Sequence, residues 1–317
     1  MFLGIDIGGT RLKVGLVDRQ GRIAAQALTT SPATRAALAA ALPALVQQVL
    51  EAGQPVAAGF GCKGVIDRST TEVRTMPGVW SFLEGVRLRD LLAGAVPPDL
   101  PVTADNDAKA ALAGEIVWGA AKERSNVFLL TLGTGVGGAI LSDGRILRGA
   151  GDVAGHLGHL TVDPFGPTCI CGNRGCLEAV FSARAIEADA WSATHLGVAS
   201  PMCDILRAHP DALSCRFVFE QAAVGDPVAR DILERKIAIL GGAVAGLIHA
   251  LDPELVIVSG SIADAGAALL EPLRREIGWR ISGLIRREVP IVPCGVDDTS
   301  GIAGAAGLAA AAVAGRW

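Results

Sequence analysis

The chain has 317 residues, of which half are hydrophobic and 19% are charged. That length can supply two domains with a core each, and the composition is typical of a globular protein, not of a disordered one. The formal net charge is −4 and no basic stripe is present, so a nucleic-acid-binding protein is not expected. The uncharged run at residues 302–315 is too short to span a bilayer and predicts a packed helix.

The seven cysteines are odd in number and partly clustered, which favours a reducing compartment with a metal site over a disulfide framework. The first residues form an apolar strand that no charged leader precedes, so a secretion signal is not expected. We therefore expect a cytoplasmic protein that has no membrane partner.

Two segments, residues 4–24 and 129–149, look like copies of one unit. Each has an apolar strand, a Gly-Thr turn, a second apolar strand, a polar-Gly-Arg turn and then an isoleucine. The interval between Thr10 and Thr134 is nearly the same as the interval between Gly21 and Gly144. Two markers with nearly the same offset indicate a duplication, and each copy predicts a β-hairpin.

Helical and strand patterns alternate after each hairpin. The predicted helices are residues 32–53, 108–118, 183–191 and 227–251, followed by the Ala/Gly-rich helix at 302–315. The predicted strands are residues 56–61, 100–103 and 254–258, with an Asp-Asn-Asp turn after the second. This alternation predicts an α/β fold. We predict one domain at residues 1–118 that also holds 301–317, onto which the last helix folds back, and a second domain at 119–300.

The two hairpin turns are candidate phosphate loops. Glycines let backbone N–H groups approach phosphate oxygens, Thr10 can donate its hydroxyl, and Asp6 can hold Mg²⁺ directly or through water. Each turn alone could be an ordinary hairpin turn, and Lys13 could be a solvated strand residue. Because the turns recur at a constant offset, the pair predicts phosphate binding. The candidates are Asp6, Gly8, Gly9, Thr10 and Lys13 in the first turn, and Gly133, Thr134 and Gly135 in the second.

Three polar residues, Asp105, Asn106 and Asp107, follow a predicted strand and precede a predicted helix. Phosphoryl transfer to a hydroxyl needs a carboxylate within hydrogen-bond reach of that hydroxyl. Asp105 could equally cap the helix, and Asp107 could simply complement the helix dipole. Spacing alone does not choose between these roles.

A cysteine cluster follows His159. Cys169, Cys171 and Cys176 fall within eight residues, and three thiolates with one imidazole match a closed tetrahedral Zn²⁺ site. The alternatives are a redox pair, although a Cys169–Cys171 disulfide would be a strained small ring, or idle core thiols. The zinc would be structural and would fix the loop that carries His159 and Glu178. The remaining cysteines, Cys62, Cys203, Cys215 and Cys294, are expected to be core or surface thiols.

The Cys-x-Cys-Gly-x-x-Gly-Cys-x-Glu run at residues 169–178 resembles the signature of the ROK (repressor, open reading frame, kinase) family of sugar kinases. The resemblance covers nearly the whole chain. It includes both phosphate turns, Gly61-x-x-Gly64, the Asp-Asn-Asp-Ala stretch, residues 251–262 and the closing run at 301–306. It implies a duplicated actin-like ATPase (ribonuclease H-like) fold, with nucleotide and substrate in a central cleft between two domains.

The resemblance also implies a reaction. The chain would be an ATP- and Mg²⁺-dependent kinase that phosphorylates a primary hydroxyl of a hexose or hexose-like polyol. Asp107 would be the base, Asn106 would hold sugar hydroxyls, and His159 and Glu178 would bind the sugar. Gly64 and Gly78 would line the sugar site, and Gly260 and Ser261 would lie by the nucleotide. Family members suggest a homodimer or a dimer of dimers.

Two positions depart from the family pattern. His156 stands where the family usually has a Glu that grips the sugar, and Gly78 stands where an Asn is usual. A site built on specific hydrogen bonds discriminates strongly against an unmatched polyol. We therefore expect a modified hexose or related polyol in place of glucose, although His156 could instead only support the zinc loop.

Two alternative functions fit part of the sequence. A sugar-binding regulatory or scaffold protein could keep the fold without catalysis, but the retained Asp6, Asp107 and both turns argue against it. Polyphosphate could replace ATP as the donor, but no extra basic track for a polyanion is present. No helix-turn-helix extension precedes the first strand, so the repressor branch is not expected.

Overall fold

A computed structural model describes residues 1–78, 80–296 and 300–316, without the side chain of Ser300. Val79, in the loop that carries Gly78, lies outside the described residues, as do positions 297–299 and 317 of the predicted domains. The strands are β1 (Phe2–Ile7), β2 (Arg11–Val17), β3 (Ile23–Thr30), β4 (Ala57–Cys62), β5 (Val65–Asp67), β6 (Glu72–Thr75), β7 (Val102–Asn106), β8 (Val127–Leu132), β9 (Val136–Ser142), β10 (Arg145–Ile146), β11 (Leu255–Ser259) and β12 (Ile291–Pro293). The helices are α1 (Arg35–Leu50), α2 (Asp107–Val117), α3 (Leu177–Phe181), α4 (Ala183–His195), α5 (Pro201–Ala208), α6 (Cys215–Ala223), α7 (Pro227–Leu251), α8 (Ala267–Ile281) and α9 (Ser300–Val313).

The described strands form two five-stranded sheets and one small pair. The first sheet has the order β3-β2-β1-β4-β7, and the second has the order β10-β9-β8-β11-β12, while β5 pairs with β6. The two orders are the same when each half is numbered from its own first strand and the separate β5–β6 pair is left out. The duplication predicted from the hairpin markers is therefore confirmed at the level of topology.

The first sheet is covered on both faces. On β1, Leu3 and Ile5 belong to a core cluster with α1, whereas Phe2 belongs to a cluster with α9, as the two-residue side-chain period of a strand requires. A Cβ at Gly59 of β4 would lie 1.9 Å from the carbonyl oxygen of Ala305, so a larger residue would push α9 away. The last helix thus packs against β1 and β4 of this sheet.

The chain divides into two compact units. One comprises Met1–Phe128, Ala139–Gly155 and Cys294–Trp317, and the other comprises Leu129–Gly138 and His156–Pro293. The first unit holds the first sheet with α1, α2 and α9, and the second holds helices α3 to α8. Across residues 1–78, 80–296 and 300–316, no helix combines the length and the apolar character that crossing a membrane requires.

Most predicted elements are present, and α7 has the predicted bounds. The predicted Asp-Asn-Asp turn is wrong, because Asp105 and Asn106 are the last residues of β7, where they pair in parallel with Gly61 and Cys62 of β4. Asp107 then starts α2 directly. The first helix begins at Arg35, later than predicted, because Thr34 caps it.

Candidate active site

The carboxyl ends of three parallel strands form one edge of the first sheet. Ile7 of β1 pairs with Cys62 of β4, and Cys62 pairs with Asn106 of β7. The next residues along the chain are Gly8, Lys63 and Asp107. Neighbouring strands lie about 4.8 Å apart, so this register brings the first glycine turn, a lysine and a carboxylate to the same edge. Open α/β sheets bind ligands at such edges.

Asp6 lies one residue before this edge, in a mostly buried position. Its carboxylate is 3.7 Å from Lys13 Nζ, its cross-strand partner, and the Asp6 side chain is 13% exposed. The pKa of Asp6 is raised to about 6: burial is the main cause, the charge of Lys13 opposes it, and the negative charge of Asp107 adds to it. A Cβ at Gly301 would lie 2.2 Å from Asp6 Oδ2, so the first turn of α9 lies against this carboxylate.

The first glycine turn is held by one hydrogen bond within the hairpin and by two from Ser31, which follows β3. The Gly8 N–H donates to the Arg11 carbonyl, the Ser31 hydroxyl donates to the Gly8 carbonyl, and the Ser31 N–H donates to the Thr10 carbonyl. These bonds use carbonyl groups of Gly8 and Thr10, so they fix the turn without occupying the Thr10 hydroxyl or the Gly9 N–H. Helix termini and such turns are common anion-binding elements in proteins.

Asp107 and Asn106 have different surroundings. Asp107 is half-buried, its Oδ1 accepts from the Ala108 N–H at 3.0 Å, and none of the described lysines or arginines pairs with it. Asn106 caps α2 by accepting from the Ala108 N–H at 3.0 Å, and its Nδ2 donates to the Gly64 carbonyl at 3.1 Å. Asn106 therefore ties Gly64 to the start of α2, and its contact with a sugar hydroxyl stays a prediction.

The two predicted glycines of the sugar site lie in loops of the first unit. Gly64 has a φ of +85°, and a Cβ there would lie 2.2 Å from the Thr75 carbonyl oxygen, so both conformation and space require glycine. Gly78 has a φ of +93°, and its carbonyl accepts from the Ser81 N–H at 3.2 Å.

A charged network that sequence reasoning missed lies behind Asp107. Asp105 is 1% exposed. Its Oδ2 accepts from Arg148 Nε at 3.0 Å, and Arg68 Nε lies 4.0 Å from the same oxygen. Buried Lys109 donates to the Asp152 carbonyl, and burial lowers the pKa of this lysine. The network joins β7 and α2 to the segment after β10, and the spacing of its members along the chain gives no local signal.

The second glycine turn is held from within its own unit. The Gly133 N–H donates to the Gly135 carbonyl at 2.9 Å, and the Val136 N–H donates to Glu178 Oε2 at 3.0 Å. A Cβ at Gly135 would lie 2.3 Å from that same oxygen. Glu178, predicted to bind sugar, therefore also supports the turn that carries Thr134.

The turn after β11 lies beside this second glycine turn. The Ile262 N–H donates to the Leu132 carbonyl at 2.9 Å, and a Cβ at Gly133 would lie 3.4 Å from Ser261 Oγ. Gly260, the residue before Ser261, has a φ of +91°, and a Cβ there would lie 2.4 Å from the Leu132 carbonyl oxygen. The structure thus brings Gly133, Gly260 and Ser261 together, as their predicted shared role at a nucleotide requires.

The four predicted zinc ligands lie together. One ligand atom from each of His159, Cys169, Cys171 and Cys176 lies within 4.8 Å of every other. His159 Nδ1 is 3.6 Å from Cys169 Sγ, and the sulfurs of Cys171 and Cys176 are 3.7 Å apart. Ligands about 2.0 to 2.3 Å from a tetrahedral Zn²⁺ are separated by about 3.6 Å for N and S and about 3.8 Å for two S atoms. These two separations match those of a zinc site, whereas the limit of 4.8 Å for all four atoms is wider than a tetrahedron around one ion.

His156 lies at the start of the same segment. It precedes the short 3₁₀ helix Leu157–His159, and its ring is stacked on that of His159, with 6.4 Å between centroids. At position 156 this chain therefore has an imidazole beside the His159 ring, and not the carboxylate that a glutamate would supply.

Three comparisons extend these observations. The ROK family matches residues 2–312. A glucokinase from Thermotoga maritima is 34% identical over 313 residues, 97% of this chain and 96% of the relative. An N-acetylmannosamine kinase from Citrobacter koseri is 34% identical over 274 residues, 85% of this chain and 86% of the relative.

The solved structures include one with bound ligands. A ROK family glucokinase from Streptomyces griseus, in complex with glucose and AMPPNP, superposes with a TM-score of 0.83. The two chains are 32% identical, and the match covers 98% of this chain and 99% of that one.

Proposed function

We propose, because this chain belongs to the ROK family and is an ATP-dependent carbohydrate kinase, that it transfers the γ-phosphoryl group of ATP to a primary hydroxyl of a hexose or hexose-like polyol. The observation that carries the proposal is the sheet edge at which the first glycine turn follows β1 and Asp107 follows β7, two parallel strands that flank β4. A phosphate-binding turn and a carboxylate at one edge are the minimum for such a transfer.

Asp107 is the general base of the proposed reaction. Its carboxylate lies at the start of α2, is half exposed to the edge of the sheet and has no cation paired with it among the described residues. It takes the proton of the acceptor hydroxyl as the oxygen attacks the γ-phosphorus. The hydrogen bond from Asn106 to the Gly64 carbonyl fixes the backbone next to Asp107.

The phosphates of ATP are bound by the two glycine turns. In the first, the N–H groups of Gly9 and Thr10 and the Thr10 hydroxyl bind the phosphates, and Gly8, whose N–H donates to the Arg11 carbonyl, lets the turn backbone approach them. In the second, Gly133, Thr134 and Gly135 do so, with Gly260 and Ser261 beside the nucleotide. Asp6, with Lys13 next to it, holds Mg²⁺ directly or through water, and that ion would neutralise charge on the phosphates.

The cluster of His159 and three cysteines holds a structural Zn²⁺ in this proposal. The distances between the ligand atoms support it, and a site with four protein ligands leaves no open position for substrate. With Nδ1 directed at the cluster, the Nε2 atom of His159 is available for a sugar hydroxyl. Glu178 supplies a further carboxylate for the sugar.

The test of this mechanism is the substitution Asp107→Asn. Removing the base while keeping the shape should lower kcat by at least about 10²-fold and leave the dissociation constant of the sugar nearly unchanged. A coupled assay of ADP release across a panel of sugars measures turnover, and calorimetry measures sugar binding. Unchanged turnover would remove Asp107 from the mechanism, and a wild-type chain that binds sugars without releasing ADP would instead be a regulatory or scaffold protein.

The acceptor is proposed to be a modified hexose or related polyol in place of glucose. The two relatives named above share the same identity with this chain and differ in their named sugar, so overall similarity does not select the acceptor. Support comes from His156, an imidazole where the family usually has a carboxylate. The substitution His156→Glu should raise kcat/KM for glucose relative to the best acceptor by about tenfold or more. Robust wild-type turnover of glucose, with no better acceptor in the panel, would contradict the proposal.

A further inference from the structure

Lys63 occupies the middle of the sheet edge described above. Cys62, the residue before it, ends β4, which pairs with β1 on one side and with β7 on the other. A Cβ added at Gly9 would lie 3.1 Å from Lys63 Nζ, so the ammonium group lies directly against the first glycine turn. The cation thus stands beside the turn, on the strand that separates it from Asp107.

The Lys63 backbone is fixed on both sides. Cys62 is fully buried, and the Gly64 carbonyl accepts a hydrogen bond from Asn106, at a position where the nearby Thr75 carbonyl leaves no room for a Cβ. The side chain itself is exposed. Within the part of the chain that the structure describes, its ammonium group has neither a hydrogen bond nor an ion pair within 4 Å.

An uncompensated cation at this position has a clear electrostatic consequence. Burial is the largest cause of the raised pKa of Asp6, and Lys13 lowers that pKa. The nearby charge of Asp107 raises it, whereas the charge of Lys63 lowers it. Two carboxylates that face a triphosphate repel it, and a lysine between them offsets that repulsion. In many phosphotransferases a lysine or arginine serves this purpose on the transferred group.

We propose that the Lys63 ammonium group binds the γ-phosphoryl group of ATP on the first glycine turn and stabilises its charge during transfer to the acceptor. This proposal rests on the proposed function. In the step, the acceptor oxygen forms a bond to the γ-phosphorus, and the bond from that phosphorus to the β,γ-bridging oxygen breaks. The electron pair of the broken bond leaves with ADP, the acceptor proton goes to Asp107, and Lys63 stays protonated throughout.

The role of Lys63 makes a specific demand on ligand binding. An ammonium group that contacts only the γ-phosphoryl group distinguishes a triphosphate from a diphosphate. A lysine that only supports the fold of the turn would affect both ligands alike. The comparison of AMPPNP with ADP therefore separates the proposed role from a structural one.

The experiment compares Lys63→Met, Lys63→Arg and the control Lys122→Met, which replaces another exposed lysine of the same unit. We expect Lys63→Met to lower kcat by about 10²-fold. We also expect it to weaken the binding of Mg²⁺–AMPPNP about tenfold while the binding of Mg²⁺–ADP and of the sugar is unchanged. Lys63→Arg should recover most of both losses, and Lys122→Met should match the wild type.

The possible results separate a failure of the role of Lys63 from a failure of the proposed function. Wild-type kcat in Lys63→Met, or an equal loss of AMPPNP and ADP affinity, would overturn the role of Lys63 and leave the proposed function standing. A wild-type chain that makes no sugar phosphate from any acceptor in the panel would overturn the proposed function, and the role of Lys63 in transfer with it. Circular dichroism and thermal melting of each variant show that the comparison is made between folded proteins.

Discussion

Burial of the Asp6 carboxylate lowers the stability of the ligand-free protein, although the proposed Mg²⁺ site needs its negative charge. Its side chain is 13% exposed, and burial raises its pKa from the ordinary 3.8 to about 6, more than Lys13 lowers it. The folded protein therefore binds this proton more tightly than the unfolded chain does. Since the carboxylate must lose the proton at neutral pH, the free energy of unfolding falls as the pH rises from about 4 to about 6, and then levels off.

We predict that Asp6→Asn stabilises the protein without ligands while it weakens Mg²⁺–ATP binding. At pH 7.5 the gain in the free energy of unfolding should be about 3 kcal/mol, and at pH 4 it should shrink to about 0.5 kcal/mol, because there the carboxyl of the folded protein is protonated while that of the unfolded chain is only about half ionised. Urea unfolding at both pH values measures the gain, with exposed Asp99→Asn as the control. A variant less stable than the wild type at pH 7.5 would show that the Lys13 pair outweighs burial.

Single residues also show which roles can be predicted from sequence and which cannot. Asp6, Asp107 and the four candidate zinc ligands are of residue types whose chemistry a sequence motif can propose. Lys63 becomes notable only through the register of β4 between β1 and β7, and Asp105 finds its partner Arg148 43 positions away. Such roles depend on tertiary contacts between distant segments, which no local pattern encodes.

The last helix, α9, depends on small residues at its contacts with α2 and the first sheet. A Cβ added at Gly304 would lie 2.9 Å from the backbone carbonyl carbon and oxygen of Ala110. By contrast, within the described chain no atom lies within 4 Å of a Cβ added at Gly278, inside α8. Alanine is the better helix former at both positions, so packing alone separates them.

We predict opposite effects of the same substitution in these two helices. Gly304→Ala should lower the free energy of unfolding by about 1–3 kcal/mol, because the added methyl group forces α9 away from α2. Gly278→Ala should raise it by about 0.5–1 kcal/mol through helix propensity. Urea unfolding measures both, and a stabilised Gly304→Ala variant would mean that α9 does not pack at this distance.

Elements with strong local patterns were predictable and others were not. The apolar hairpins and the long helix α7 follow from periodicity and turn residues, whereas the end of β7 extends three residues further than predicted because parallel pairing with β4 continues there. The short helices α5 and α6 were missed, although Ser200 and Ser214 cap them. In those segments the capping serines are the local signal, and the apolar faces become meaningful only once a core exists.

At the scale of the whole molecule, duplication explains both the fold and the site. The shared strand order of the two sheets puts a glycine turn after the first strand of each half, β1 and β8. The predicted actin-like ATPase fold and the carbohydrate-kinase class are confirmed by the ROK family match and by the similar kinases. The domain limit at residues 118–119, the central cleft and the homodimer stay predictions.

Besides the shared strand order, the second half contains the candidate zinc segment, residues 156–176. Residues 156–176 contain only the 3₁₀ helix Leu157–His159 and isolated bridges such as Thr161 to Cys176 as regular structure. A segment with so little regular backbone bonding has a low local stability. Four bonds to one ion would join its two ends and thereby hold His159 in place.

We predict one zinc ion per chain, and a loss of sugar affinity when it is removed. Cys176→Ser should lose the metal, lower the melting temperature and raise the KM for the sugar at least tenfold, because His159 is no longer fixed. The dissociation constant of AMPPNP should change less than the KM for the sugar, since the first glycine turn belongs to the other unit. Elemental analysis counts the metal, and Cys215→Ala, outside the cluster, is the control that should keep it. A purified wild-type chain with full activity and no zinc after exhaustive chelation would show that the ligand atoms can hold this segment without an ion.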